Sequence, residues 1–134
     1  MMRKEKILAI ALASVMAFAA GSALAAGDVA KGKKVFKKCA ACHSNKPGVT
    51  KVGPSLFGVY GRKAGTEKSY KRYRGMVGAN WTWDEKTLDA YLQDPKAYVK
   101  KHNNGKRTSM TFKLKGKRKA GQRADVIAYL KTLK

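Results

Sequence analysis

Cys39-Ala40-Ala41-Cys42-His43 sets two thiols three residues apart and an imidazole directly after the second. Residues three apart at the end of a helix lie close together on its surface, so both sulfurs can reach one group. C-x-x-C-H is the attachment pattern of haem c. The two thiols add to the two vinyl groups of one porphyrin, and the following histidine presents its imidazole to the iron as proximal ligand. Other chemistries also use a paired cysteine. A thioredoxin-like redox pair belongs beside a βαβ pattern, which is absent here. A zinc site needs further ligands, and only His102 remains as a second imidazole. A disulfide across two residues strains its own geometry. Haem is therefore the expected cofactor, one per chain.

A haem iron also needs a ligand on its other side. The candidates are Met76, Met110 and His102. Met76 lies in Ser69–Val77, a segment with the marks of a short helix ended by Gly78, and reads as core filler. His102 stands among Lys100, Lys101, Asn103 and Asn104 and reads as a solvated surface residue. Met110 lies in an irregular stretch whose backbone can turn a thioether inward, and Phe112 stands two residues on to seal a crevice. A soft thioether favours ferrous iron and raises the potential relative to two imidazoles.

The elements that must position these residues are short. Met1–Lys6 is basic, Ile7–Ala20 is an unbroken apolar run, and Ala23-x-Ala25 ends a small-residue stretch. That order is a secretory signal, 1–25, with a retained anchor as the alternative. The remainder, 26–134, is one domain. Asp28 caps a helix whose apolar face is Val29, Gly32, Val35, Phe36 and Cys39. Glycines and prolines break Ser44–Gly65 into loop. Thr82-Trp83-Asp84-Glu85 has the form of a capping box and opens a helix bearing Leu88, Tyr91 and Leu92. Asp94-Pro95 ends that helix and begins another short turn. Lys100–Lys119 is basic and aperiodic and reads as an exposed loop. A last helix from about Gln122 to Leu133 buries Val126, Ile127, Tyr129, Leu130 and Leu133. The expected fold class is all-α, with short helices packed around the haem.

The chain holds 30 Lys+Arg against 8 Asp+Glu, a net charge of +22 over 134 residues. Removal of Arg3, Lys4, Lys6 and Glu5 with the signal lowers this by only two. Nucleic acid is a common partner for such charge, but an exported chain rarely meets it and no nucleic-acid-binding motif is present. Steering towards acidic docking faces of membrane redox complexes or periplasmic oxidoreductases, or towards an anionic membrane surface, is the expected use. The exported chain is expected in the periplasm as a monomer.

In order and spacing, these segments resemble the class I c-type cytochromes, in the group of mitochondrial cytochrome c and bacterial cytochrome c2. The resemblance rests on Gly27–Phe36, Cys39–His43, Gly53–Gly65, Trp81-Thr82-Trp83, Tyr91-Leu92, Asp94–Tyr98 and Val126–Lys131. It implies the small cytochrome c fold and a one-electron carrier rather than an enzyme. It implies further that the Pro54 carbonyl accepts the second ring N–H of His43 and that Arg62 and the Trp83 indole hold the haem propionates. Tyr91 then lies near the Met110 sulfur, Phe112 covers the haem face, and Gly32 and Phe36 pack against Val126 and Tyr129. Lys38, Lys51, Lys96 and Lys113 ring the exposed haem edge in the same comparison. Two features depart from the family. The stretch Val99–Ser109 is longer and more basic than its counterpart, and either Tyr70 or Tyr73 fills the aromatic place beside the propionates. The rival classes are a haem enzyme or gas sensor without a Met110 bond, and a haem-free cationic binding protein with a Cys39–Cys42 disulfide.

Overall fold

The computed structural model describes residues 26–134. The proposed signal segment 1–25 lies outside the described residues. Among the described residues there are four α-helices, α1 (Val29–Cys39), α2 (Glu85–Gln93), α3 (Pro95–His102) and α4 (Ala120–Lys131), with a single 3₁₀ turn at Lys117–Lys119. Among the described residues, strand pairing is limited to one isolated antiparallel bridge, Lys63 with Thr82. No helix of the described residues is long and apolar enough to cross a membrane.

Local chemistry explains the helix starts. The Asp28 carboxylate accepts from the Lys31 N–H at 2.8 Å and caps α1. Asp94 accepts from the Ala97 N–H and caps α3, with Pro95 in the first turn where its missing N–H costs nothing. The cap of α2 differs from the Thr82-based box expected from sequence. Asp84 is the N-cap, and its carboxylate and the Thr87 hydroxyl close the box reciprocally. The reason lies upstream. The Trp83 N–H donates to the Arg62 carbonyl and the Gly61 N–H to the Trp83 carbonyl, which keeps 81–83 extended and moves the helix start two residues on.

The first and last helices cross closely. A Cβ on Gly32 would fall onto the carbonyl of Asp125 and within 2.9 Å of the Tyr129 Cβ. One turn later, the Phe36 and Tyr129 rings meet at 5.2 Å. Beneath this crossing lies a core containing Val126, Ile127, Leu130, Leu88, Leu92, Trp83 and Tyr91.

Two segments differ from their sequence reading. Ser69–Val77 is turn and extended chain, not helix. Lys100–Lys119 is not uniformly an exposed loop: α3 reaches His102, while Asn103 and Leu114 are buried. Arg123 explains part of this order, since it donates to the carbonyls of Leu114 and Gly116 and pairs with Asp89 at 2.7 Å.

Gly32→Ala tests the crossing. Alanine gains roughly 0.5–1 kcal/mol of helix propensity over glycine, but overpacking against fixed backbone costs about 1–3 kcal/mol, so the clash wins. The denaturant midpoint should fall. Gly121→Ala on α4, where a Cβ meets nothing, should hold or raise it.

Candidate haem site

Three chemical groups come together because α1 ends where it does. Cys39 is its last residue, and the N–H groups of Cys42 and His43 both return to the Cys39 carbonyl, at 3.0 and 2.9 Å. That tight turn brings both thiols and the imidazole to one side of the chain. Cys39 is half-buried and Cys42 exposed, and the two are not joined to each other. Burial, reinforced by the neighbouring Cys42, pushes the Cys39 thiol up to about 11. Among the described residues, no cluster of three or more His, Cys, Asp or Glu is assembled for a metal ion.

The Nδ1 of His43 lies 2.7 Å from the Pro54 carbonyl. A carbonyl only accepts, so Nδ1 carries the proton and Nε2 keeps a free lone pair. Burial lowers the pKa of His43, the Pro54 bond opposes this, and the Lys51 charge adds to the lowering. The ring is thus held neutral, in its ligating form. Gly53 makes room for it, because a Cβ there would lie 2.5 Å from Cε1 and 2.8 Å from Nδ1. In the sequence Gly53 reads as loop punctuation and as the start of the Gly53–Gly65 segment, with no sign of its contact with His43.

These groups open into a cavity of about 380 Å³. Its wall draws on the end of α1, the 52–76 segment, α2, the 108–114 segment and α4. Cys39, Cys42, His43, Pro54, Arg62, Trp83, Tyr91, Met110 and Phe112 all line it, as do Met76, Tyr70 and Tyr73. His102 does not. It stacks on Tyr98 at 4.1 Å, with Nδ1 bonded to the Tyr98 carbonyl. The Tyr91 hydroxyl donates to the Met110 sulfur at 3.3 Å. Burial pushes that hydroxyl up to about 12, so it remains a donor at any ordinary pH.

Arg62 is more constrained than a free anion clamp. Its guanidinium pairs with Glu67 at 2.9 Å and donates to the carbonyls of Phe57 and Ser55. Glu67 was not singled out from sequence, where nothing links two residues five apart in a loop. Tyr70 donates to the Val52 carbonyl, whereas Tyr73 accepts from the Glu67 N–H and keeps its own proton to give. Lys38, Arg72 and Arg74 also reach the wall, and none of the lining residues is a carboxylate. Apolar walls, two thiols, a neutral imidazole, a thioether and several cations form a donor set that fits a porphyrin bearing two carboxylates.

A small helical chain closed around such a cavity defines a class: haem-binding proteins that wrap the group in short helices. Known proteins fix the family. The Cytochrome c family model matches residues 29–134. The chain is 45% identical to cytochrome c2 of Rhodospirillum rubrum over 137 residues, covering 98% of this chain and 99% of that protein. It is 41% identical to cytochrome c of Euglena viridis over 110 residues, covering 81% and 99%. Ferricytochrome c2 of Rhodopseudomonas palustris superposes with a TM-score of 0.70 at 39% identity, covering 80% of this chain and 99% of that one. Cytochrome c2 of Rhodospirillum centenum gives 0.71 at 38%, covering 80% and 98%. The chain belongs to the cytochrome c family. Proteins of this family bind one covalent haem c and carry electrons; they are not enzymes.

Gly53→Ala should displace the His43 ring and weaken its bond to Pro54. The expected cost is about 1–3 kcal/mol, the range for overpacking. The Nδ1–H resonance of His43 should shift or vanish in the nitrogen-edited NMR spectrum of the holoprotein.

Proposed function

We propose that residues 26–134 form a periplasmic shuttle, released from the 1–25 signal, whose haem is joined through Cys39 and Cys42 and ligated by His43 and Met110. One observation carries this reading: a neutral imidazole with a free Nε2, and a thioether held by a buried hydroxyl, line the same cavity as the paired thiols. When bound, haem c supplies one-electron exchange between ferric and ferrous iron.

The chain's own residues do the rest. Pro54 fixes the ring orientation and tautomer of His43, as an outer partner does for a metal-bound imidazole. Tyr91 fixes the direction of the Met110 sulfur and needs no rearrangement when charge at the site changes. With His43 and Met110 as its two side-chain ligands, the iron would be closed to small molecules. Phe112, Leu88 and Leu92 keep the cavity wall apolar, and in such a dry site the identity of the side-chain ligands would set the potential of a bound haem. Arg62, Trp83 and the free hydroxyl proton of Tyr73 attend the propionates.

Respiratory or photosynthetic redox complexes with acidic docking faces are the proposed partners of a monomer, with an anionic membrane surface as a further site of attraction. Lys38, Lys51, Lys96 and Lys113 are exposed, and Lys38 lines the cavity itself. Lys113 meets Asp94 at 3.4 Å, but the lysine is exposed and the aspartate only half-buried, so the pair is weak and leaves the cation available. Docking through such charges is fast and readily reversed.

Spectra and mass test the ligand set. Wild type should carry one haem by intact mass and show the near-infrared sulfur-to-iron band when oxidised. Met110→Ala should keep the haem, lose that band, bind carbon monoxide rapidly when reduced and shift to a lower midpoint potential. A wild-type chain without the band, or without an adduct, overturns the reading.

Electron transfer to an acidic partner should slow steeply as ionic strength rises, since the Debye length falls from about 30 Å at 0.01 M salt to about 10 Å at 0.1 M. Stopped-flow rates across that range check it.

A further inference from the structure

Asn103 is the least expected buried residue of the chain. It sits in a run of lysines and asparagines, yet it is only 4% exposed. Its side-chain amide donates twice, to the Gly75 carbonyl at 2.7 Å and to the Val77 carbonyl at 3.0 Å. Those acceptors are 28 and 26 residues away in sequence, so the amide joins two otherwise separate loops.

The backbone around it turns back sharply. The Asn103 N–H closes α3 on the Val99 carbonyl, and Asn104 and Gly105 then take φ values of 51° and 74°. Asparagine and glycine are the residues that accept this left-handed region at least cost. The reversal lays Arg107 and Thr108 against Gly75, where a Cβ would meet the Arg107 carbonyl at 2.7 Å and the Thr108 nitrogen at 2.8 Å. Lys106 adds a bond from its ammonium to the Val77 carbonyl. Two residues beyond Thr108 comes Met110, whose N–H donates to the Thr108 hydroxyl at 3.3 Å. Gly75, Met76, Thr108 and Met110 all line the cavity.

We infer that Asn103 is a positioning residue for Met110: its amide staples the 106–110 segment to the 75–77 turn and so holds the thioether at the cavity. This rests on the reading that Met110 is the sulfur ligand. The Tyr91 hydroxyl directs the sulfur once it is in place, but a side-chain bond at 3.3 Å cannot hold the backbone. The two amide bonds do that. The bond to Gly75 is buried and the bond to Val77 half-buried, so their removal costs more than the loss of surface bonds would.

The test uses the holoprotein. Asn103→Ala removes both donors, and Asn103→Asp sets a carboxylate against two carbonyls. Gly75→Ala disturbs the same contact from the other side without removing a hydrogen bond. All three should retain covalent haem by mass, lose much of the near-infrared sulfur-to-iron band and, when reduced, bind carbon monoxide roughly tenfold faster or more, as expected for lost buried bonds. Amide exchange at Thr108–Met110 should accelerate with them. Thr87→Ala, which weakens the α2 cap away from this contact, serves as the control for general loosening. An unchanged band and carbon monoxide rate in Asn103→Ala and Gly75→Ala overturn the inference. So does a Thr87→Ala protein that shows the same losses. A wild-type protein lacking the band would instead overturn the Met110 assignment itself, and the two failures are therefore distinct.

Discussion

The contact on which the rest depends is the crossing of α1 and α4 at Gly32, where the α1 backbone meets the carbonyl of Asp125 with no space for a Cβ. This approach fixes how α1 lies against α4, and Cys39 is the last residue of α1. It also fixes which residues of α4 face inward, so that Val126 and Leu130 reach the cavity wall while Phe36 and Tyr129 close the crossing outside it. A chain of this size has little apolar surface to bury. Two helices forced together at their small residues leave a cavity between the remaining segments, and a large apolar macrocycle completes the core that the chain alone does not fill.

The two sides of that cavity are held by different means. On the His43 side the constraints are local: a three-residue turn from the end of α1, one bond to Pro54 and a glycine that leaves room for the ring. Little can move without breaking the turn itself. On the Met110 side the constraints are long-range. Leu114 is anchored by its N–H to the Leu92 carbonyl and by Arg123 on its own carbonyl, so the segment is fixed behind the methionine. Ahead of it, the attachments are the Asn103 amide and the Lys106 ammonium on the 75–77 turn. Local constraints survive partial opening of the fold better than distant ones do. The two sides of the cavity thus differ in how far along the chain their supports lie.

This asymmetry also explains what was legible in the sequence. C-x-x-C-H is a local pattern that owes nothing to distant contacts, and the apolar spacing of α1 and α4 is likewise local. The nine residues singled out for the site all line one cavity, several of them only through family likeness rather than spacing. What escaped is non-local. Asn103 reads as surface because its neighbours are charged, and only the reversal at Asn104 and Gly105 buries it. Ser69–Val77 has helix-like apolar spacing, but Gly75 is needed flat against the Arg107 carbonyl, and a helix there would remove that contact. The α2 cap fell on Asp84 instead of Thr82 because extended pairing with Arg62 overrode a local signal.

The surface charge reflects the same economy of small size. Every acidic side chain among the described residues has a structural partner. Asp28, Asp84 and Asp94 cap helices, and Asp125 accepts from the Asp28 N–H. Asp89 pairs with Arg123, Glu67 with Arg62 and Glu85 with Lys131. Acids therefore stand where the fold needs an acceptor, and the lysines outnumber them without neutralisation. Lysines on exposed helix faces cost little in stability, because an exposed ammonium remains hydrated and their mutual repulsion is screened by salt. A strongly cationic exterior is thus compatible with a small fold so long as no cation is buried unpaired. Arg123, the one arginine or lysine buried among the described residues, has a carboxylate and two carbonyls around it. Folding needs few charges and fixes them tightly; docking needs many and leaves them free, which is why the two demands fall on different residues of the same chain.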